Sequence, residues 1–365
     1  MNLSPRNILS AVVLVIALAF GLSLVAERAG PLAAVALFVA ANLACAPRVG
    51  YSLGVSAVEL AKLNSADDLV GLVEENQDVT PELKIVPAFT IKGTSFPTIV
   101  RKTVPSGGFK QRGAGVAVGT TTFEPGQVQC FSYENPLQET VDIAKAYRRG
   151  EAAFLALVAS GAVKGGMQLI GKALYYGARS FGGGANAHPG LIDMYDSTNM
   201  IVDATGTTAD TCSSVWFIKW GNQEDGNVSY VFGQDRIFEL GEWMKQLVEI
   251  TSGKKSMCHV NSLAADIGVQ LTNTKAVGRI KKLTEDSGKG LTDKLGYQLL
   301  EKFPVGMVPD VALMTKRSRR QLQESRSAVG QTAYGAGAVA PIPTDIAGIP
   351  IVVTDSILNT EALTL

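Results

Sequence analysis

The sequence is poor in the side chains that build metal and histidine-based sites. It has 2 histidines and 4 cysteines among 365 residues. The cysteines are far apart and form no CxxC pair, which argues against a zinc site or a redox dithiol and fits a reduced intracellular setting. They are Cys45, Cys130, Cys212 and Cys258. No carboxylates are arranged as a general acid–base pair. The sequence therefore nominates no catalytic residue, cofactor site or metal ligand, and it does not predict an enzyme.

The chain also lacks an excess of positive charge. It contains 33 Lys and Arg against 33 Asp and Glu, so its formal net charge is zero. A dedicated nucleic-acid-binding protein normally carries a large positive excess, because contacts with phosphates dominate its affinity. With 46% hydrophobic residues, the chain can bury a large core or two domains. The composition indicates a globular protein that is not a dedicated nucleic-acid binder.

Charge is missing altogether from two runs near the start, residues 8–26 and 29–47. Each run is about long enough to cross a bilayer as a helix. Three interpretations remain open, namely a membrane hairpin, a signal segment, or a true start further along the chain, for example at Val49 or Val55. We therefore set residues 1–54 apart as an apolar N-terminal extension.

Residues 166–173 nearly match a nucleotide-binding P-loop but lack two of its parts. Ala173 has no hydroxyl to bind magnesium, and no predicted strand precedes the motif. We interpret the motif instead as part of a helix whose buried face includes Met167, Leu169 and Ile170. The two histidines are interpreted in the same structural way, His188 as a loop residue and His259 as a core or interface residue.

Two neighbouring blocks of opposite charge follow the apolar extension. Residues 57–82 contain seven acids and one lysine, a net charge of −6 (1 − 7), and predict two short amphipathic helices. Residues 83–123 contain six basic residues and no acid, a net charge of +6. Their alternation of β-branched residues with Gly and Ser predicts a long hairpin with "PSGGF" near its tip. Blocks of equal and opposite charge predict pairing between the two segments.

A long helix is predicted next. Asn135, Pro136 and Gln138 resemble an N-cap, a first-turn proline and a capping-box glutamine, and the pattern continues to about Tyr176, a rod roughly 60 Å long. Its apolar stripe includes Phe154, Leu169 and Ala173. The later pattern predicts a helix at 291–304 and strands at 199–205, 214–221, 228–233, 310–315 and, as a buried late strand, 348–357. Trp216 and Trp220 would share one face of their strand and pack in a core.

The stretch "KRSRRQLQESR" begins at Lys316 and predicts a basic helix with Thr315 as its N-cap. Lys316 and Arg317 would lie at the positive end of the helix dipole, which is unfavourable. Arg320 and Glu324 are spaced as an i,i+4 pair. We expect acidic partners in the same or a neighbouring subunit, and contact with DNA or a purely solvated face remain the alternatives.

The order of these parts resembles a known family. The segments that carry the resemblance are "LAKLNSADDLVGLVEE" with "TIKGTSFPTIVR", "AVGRIKKLTEDSGKGLTDKLGYQLLEKFPVG", and "VALMTKRSRRQLQESR" with "GIPIVVTDSI". Together they resemble the major capsid proteins of tailed bacteriophages and prophages with the Hong Kong 97-type fold, over about residues 55–365. The resemblance implies an α+β fold with an N-terminal arm, an extended β-hairpin loop, a long spine helix, and peripheral and axial domains.

The resemblance also implies domain boundaries and a structural function. The predicted parts are the arm (55–92), the extended loop (93–134), the spine helix and peripheral domain (135–235), the axial domain (236–345) and a C-terminal strand returning to the core (346–365). Such a chain self-assembles as hexamers and pentamers into an icosahedral shell around phage double-stranded DNA, with which it makes non-specific contact. Scaffolding and portal proteins would be further partners, and assembly would take place in the bacterial host cytoplasm.

Two alternatives to a virion capsid protein remain open. One is an encapsulin-like bacterial compartment shell, which has the same fold, and the other is a membrane-anchored protein that uses residues 8–47. No catalytic, cofactor-binding or metal-binding residue is predicted. The residues predicted to lie at subunit interfaces are Asp67, Asp68, Glu74, Glu75, Lys92, Arg101, Lys102, Phe109, Lys110, Arg112, Arg317 and Arg320.

Overall fold

The computed structural model describes residues 78, 80–251, 253–334 and 340–364. The predicted extension 1–54 and most of the predicted arm therefore lie outside the described residues. Glu249–Lys255 separates from the compact unit that holds the other described residues, and within it the Gly253 N–H donates a hydrogen bond to Glu249 Oε1 at 2.8 Å. The main unit contains two six-stranded sheets and one two-stranded hairpin. It is an α+β fold, as predicted.

The described helices begin and end at residues that the structure defines clearly. They are α1 (Glu82–Ile85), α2 (Val141–Ala146), α3 (Glu151–Tyr176), α4 (Leu191–Met194), α5 (Asp293–Glu301) and α6 (Lys316–Tyr334). The strands are β1 (Ala88–Thr90), β2 (Ser95–Thr103), β3 (Thr122–Gln129), β4 (Phe131–Thr140), β5 (Ile201–Asp203), β6 (Ser213–Ile218), β7 (Ser229–Phe232), β8 (Glu239–Leu240), β9 (Met244–Thr251), β10 (Lys254–Gln270), β11 (Val277–Leu283), β12 (Val311–Met314), β13 (Asp345–Ile346) and β14 (Ile349–Val353).

The first sheet is organised around the 17-residue strand β10. Its order is β1-β7-β10-β4, and β8 and β9 also pair with β10. Helix α3 packs against β4. A Cβ at Gly166 of α3 would lie 2.8 Å from Tyr133 Oη and 3.5 Å from Leu263 Cδ2, so this glycine permits a close approach of helix and sheet.

The second sheet holds most of the core. Its order is β13-β14-β12-β6-β11-β5, and every residue of β6 and β12 is buried. Strands buried on both faces read as continuous apolar runs, which explains "SSVWFI" and "VALM". Helix α5 covers β11 closely, because a Cβ at Gly278 would lie 2.8 Å from the Phe303 ring and 2.9 Å from Leu299. Trp216 is fully buried in this core and Trp220 packs against it, as predicted.

The predicted start of the long helix is wrong. Asn135, Pro136 and Gln138 lie in β4, which pairs with β10, and the chain then forms α2, breaks before Gly150 (φ +98°) and enters α3. Helix α3 has 26 residues, about 39 Å at 1.5 Å per residue rather than roughly 60 Å. The capping-box pattern misled because β4 lies at the edge of its sheet, where a proline without an N–H is tolerated.

The predicted buried face of this helix also needs correction. Residues 166–173 are helical, but Met167 and Leu169 are exposed and only Ile170 of the three predicted residues is buried. Phe154 and Ala173 are buried as predicted, whereas Leu169 departs from the stripe. By length and composition, α3 is the one described helix that could cross a bilayer, a test that a core helix of a soluble protein also passes.

Most later elements match their predictions, with three exceptions. Strands β5, β6, β7 and β12 and helix α5 lie within their predicted ranges. Strands β9, β10 and β11 were not predicted. Strand β14 was predicted to be buried, but only Ile349 is buried, and Pro350 is exposed. The predicted boundary at 235/236 does not follow the sheets, since each six-stranded sheet takes strands from both sides of it.

Candidate functional site

The most exposed described part of the chain is the hairpin β2–β3. Its strands pair antiparallel from Ser95–Gln129 to Thr103–Thr122, and this two-stranded sheet belongs to neither larger sheet. Every residue from Arg101 to Thr120 is exposed. The predicted hairpin is therefore confirmed, with strands that begin and end later in the chain than expected and "PSGGF" in the connecting loop.

The base of the hairpin is attached to the first sheet. The Cys130 N–H donates a hydrogen bond to Thr94 O at 2.8 Å, and Val128 is buried. Phe96 packs edge-on against Phe89 of β1, with ring centroids 5.7 Å apart. These contacts fix where the hairpin leaves the fold, while its outer part has no comparable support.

The outer part of the hairpin carries apolar side chains that the described residues leave uncovered. They are Ile99, Val104, Phe109, Val116, Val118 and Phe123. A scattered exposed side chain is ordinary, but a group on one projecting element marks a surface that binds another molecule. The extreme case is Phe109, whose side chain is fully exposed.

The same hairpin carries the predicted basic residues. Lys102 pairs with Glu124 at 2.6 Å, and the Arg101 guanidinium lies over the Phe123 ring, 5.7 Å from its centroid. The described residues give no ion-pair partner to the exposed side chains of Lys92, Lys110 and Arg112. Cations and apolar groups therefore occur together on one projecting element.

A second group of predicted residues lies at the start of α6. The Ser318 N–H donates to Thr315 Oγ1 at 3.2 Å, which confirms Thr315 as the N-cap. Lys316 pairs with Asp355 at 3.0 Å. Arg320 donates to both oxygens of Glu285 at 2.7 Å and to Glu324 at 2.7 Å, so the predicted i,i+4 pair is confirmed.

Arg317 is held differently, by backbone carbonyls of its own chain. Its Nη2 donates to Thr211 O at 2.7 Å and to Leu283 O at 3.2 Å, and its Nη1 donates to Asn359 O at 3.3 Å. Burial lowers the pKa of the Arg317 guanidinium from its usual value, partly offset by Glu285. Because Arg317 and Arg320 have partners within the chain, their contact with a neighbouring subunit stays a prediction. The other predicted acids, Asp67, Asp68, Glu74 and Glu75, lie outside the described residues.

A buried polar network in the core was not predicted from the sequence. Arg279 and Glu361 are both buried, with Arg279 Nη2 3.1 Å from Glu361 Oε2. Tyr176 Oη and Ser214 Oγ each donate to Glu361 at 2.5 Å, and the Arg279 guanidinium lies 5.1 Å from the Trp216 ring centroid. This network ties the C-terminal segment to the second sheet, and it forms no open site.

The remaining titratable groups do not assemble a catalytic or metal centre in the described part of the chain. No group of three or more His, Cys, Asp or Glu there could hold a metal ion. His188 is a buried loop residue whose Nδ1 lies 2.9 Å from Pro189 O, and burial lowers the pKa of its imidazole. His259 is buried with Nε2 2.6 Å from Glu151 Oε1, although neither ring nitrogen meets hydrogen-bond geometry.

Comparison with known proteins agrees with the predicted resemblance. Residues 64–364 match a family model described as "Major capsid protein GP7". A solved structure of bacteriophage Epsilon15 is 17% identical, with a TM-score of 0.65 over 86% of this chain and 98% of that chain. A structure of the bacteriophage JBD30 capsid is 10% identical, with a TM-score of 0.44 over 83% of this chain and 99% of that chain. No curated protein matches.

Proposed function

The chain belongs to the family of the major capsid protein GP7, and from this premise we propose that the hairpin β2–β3 is the main surface through which neighbouring copies join. The protein is a structural component of a phage virion capsid with the Hong Kong 97-type fold. The family match favours this function over the compartment-shell and membrane-anchored alternatives.

The observation that carries the proposal is the composition of the exposed hairpin. Six large apolar side chains and several cations project from an element that its own chain does not cover. In a shell of many copies, a neighbouring subunit covers such a surface and removes its apolar groups from water. The predicted interface residues Lys92, Arg101, Lys102, Phe109, Lys110 and Arg112 would act at this contact.

The acidic block ahead of the hairpin is the proposed charged partner. Residues 57–82 carry −6 and residues 83–123 carry +6. Asp67, Asp68, Glu74 and Glu75 of one copy would face hairpin cations of a neighbour. Each exposed ion pair is worth only about 0–1 kcal/mol, but repetition at every interface makes the sum large.

The finer predictions about assembly belong to the same proposal. Copies would form hexamers and pentamers of an icosahedral shell in the bacterial host cytoplasm, with scaffolding and portal proteins as partners. Near-zero net charge suits a wall around packaged double-stranded DNA, because a strongly cationic wall would bind phosphates and hinder movement of the DNA. Contact with DNA would be non-specific.

Charge reversal tests the proposal directly. The full chain carrying Asp67→Lys with Asp68→Lys should give few closed shells by electron microscopy, and added Arg101→Glu with Lys102→Glu should partly restore them. The matched control adds Lys294→Glu with Lys302→Glu on and beside α5, which makes the same charge change away from the hairpin and should not restore shells.

Salt provides an independent measurement of the same contact. Exposed ion pairs are screened over a Debye length of about 10 Å at 0.1 M salt, so early assembly should slow as salt rises. Normal shells from the Asp67 and Asp68 reversal, together with salt-independent assembly, would contradict the charge pairing and leave the apolar side chains as the adhesive.

A further inference from the structure

Glu82 is a buried carboxylate at the point where the chain enters the described fold. It is the first residue of α1, its exposed fraction is 0%, and nearly all residues that precede it lie outside the described part. The side chain lies between α3 and the segment 354–356. A charged residue in such a place is rarely fully buried unless a partner neutralises it.

No cation neutralises Glu82 within the described residues. Thr354 Oγ1 donates a hydrogen bond to Glu82 Oε2 at 2.8 Å, whereas Oε1 has no hydrogen-bond partner. A Cβ at Gly171 of α3 would lie 2.7 Å from both Glu82 Oε1 and Ser356 Oγ, so the carboxyl packs directly on the helix.

The titratable groups that face Glu82 are all neutral or acidic. Tyr175 comes from α3 and Tyr230 from β7, and both hydroxyls are buried without a hydrogen-bond partner. Asp355 faces Glu82 from the C-terminal segment, and its own partner is Lys316. Burial raises the pKa of Glu82 above its ordinary value, and the nearby Ser356 and Thr354 hydroxyls offset this only partly.

We propose that Glu82 is a proton-operated latch that holds residues 80–86 against α3 and the segment 354–356. With its proton, the side chain is a neutral, packed group. Without it, an unpaired carboxylate would be left in an apolar site, so the segment undocks. The latch controls how firmly the preceding part of the chain is attached, and it is independent of the hairpin contact proposed above.

The direction of the pH effect follows from the two states. When undocked, Glu82 is in water and titrates near its ordinary value of about 4.3. Below that value both states are protonated and the latch is fully closed. As pH rises toward the raised pKa of the docked state, undocking releases a proton, so its equilibrium constant grows about tenfold per pH unit. Acid therefore tightens this contact.

Hydrogen exchange of the full chain, followed by mass spectrometry from about pH 5 to about pH 8, tests the latch. The readout is the peptide that contains the Lys84 and Val86 amides, which donate to Pro81 O and Glu82 O. After correction with an unstructured reference peptide, the wild-type peptide should lose protection steeply as pH rises. Glu82→Gln, a neutral mimic of the protonated form, should keep protection at every pH. The control Glu301→Gln, at an exposed position on α5, should follow the wild type.

A second variant tests the packing part of the idea. Gly171→Ala places a methyl group against Oε1 and should remove protection of the same peptide at every pH. The latch is refuted if Glu82→Gln and the wild type show the same pH slope, if the wild type shows no slope, or if Gly171→Ala leaves protection unchanged.

Discussion

Two arginines of this chain lie over an aromatic ring, one on the hairpin and one in the core. Arg101 lies 5.7 Å from the Phe123 centroid with both side chains exposed, and Arg279 lies 5.1 Å from the Trp216 centroid with both buried. Such contacts contribute about 0.5–1 kcal/mol when exposed and about 2 when desolvated. The contact is the same, and its surroundings decide its role.

The difference shows how the chain separates folding from assembly. In the core, Arg279 is satisfied by Glu361, Ser214 and Trp216, all from its own chain. On the hairpin, most cations and apolar groups remain uncovered by described residues and are left for another molecule. Core variants should therefore change the free energy of unfolding, and hairpin variants should change shell formation with little effect on the fold.

The largest expected effect is on the core pair. Glu361→Ala leaves Arg279 as an unpaired buried charge, which should lower the free energy of unfolding by about 3–5 kcal/mol in urea denaturation of the unassembled chain. The control Glu124→Ala removes the exposed partner of Lys102 and should cost less than about 1 kcal/mol. Equal losses from the two variants would erase the proposed distinction between core and hairpin.

An intermediate effect is expected at the start of α6. Arg317→Ala removes hydrogen bonds to three carbonyls and should lower the free energy of unfolding by about 2 kcal/mol. Arg320→Ala breaks half-exposed pairs and should cost less than about 1 kcal/mol. Urea denaturation of both variants ranks them, and a reversed ranking would show that Arg317 acts between subunits rather than within the chain.

The smallest effect on folding is expected at the tip of the hairpin. Phe109→Ser should leave the unfolding midpoint nearly unchanged, because the ring is fully exposed, yet it should reduce the yield of closed shells seen by electron microscopy. Phe109→Tyr keeps the ring and serves as the control. Wild-type shell yield from Phe109→Ser would remove this ring from the proposed contact.

Sequence reasoning succeeded where the signal is local. The hairpin follows from Gly, Ser and β-branched alternation, and the start of α6 follows from Thr315 and the Arg320–Glu324 spacing. It failed at Asn135–Pro136 because β10, more than a hundred residues later, pairs with that segment and overrides its capping pattern.

The buried pair shows the same limit. Arg279 and Glu361 are 82 residues apart, and no local pattern distinguishes either from an exposed charge. Strand β10 was missed because its burial alternates only over its first part and then becomes continuous, so neither periodicity covers its length. For the hairpin, sequence predicted the surface but not its partner, and the four acids proposed to meet it stay a prediction.

Strand β10 has a mechanical consequence. Its 17 residues span about 56 Å, and its ladder with β4 runs unbroken from Cys258–Thr140 to Ile267–Phe131. A pull along this strand loads those hydrogen bonds together, in shear, whereas a pull across it would open them one at a time, like a zipper. In a wall under tension, the first sheet would therefore be stiffest along β10 and most compliant across it.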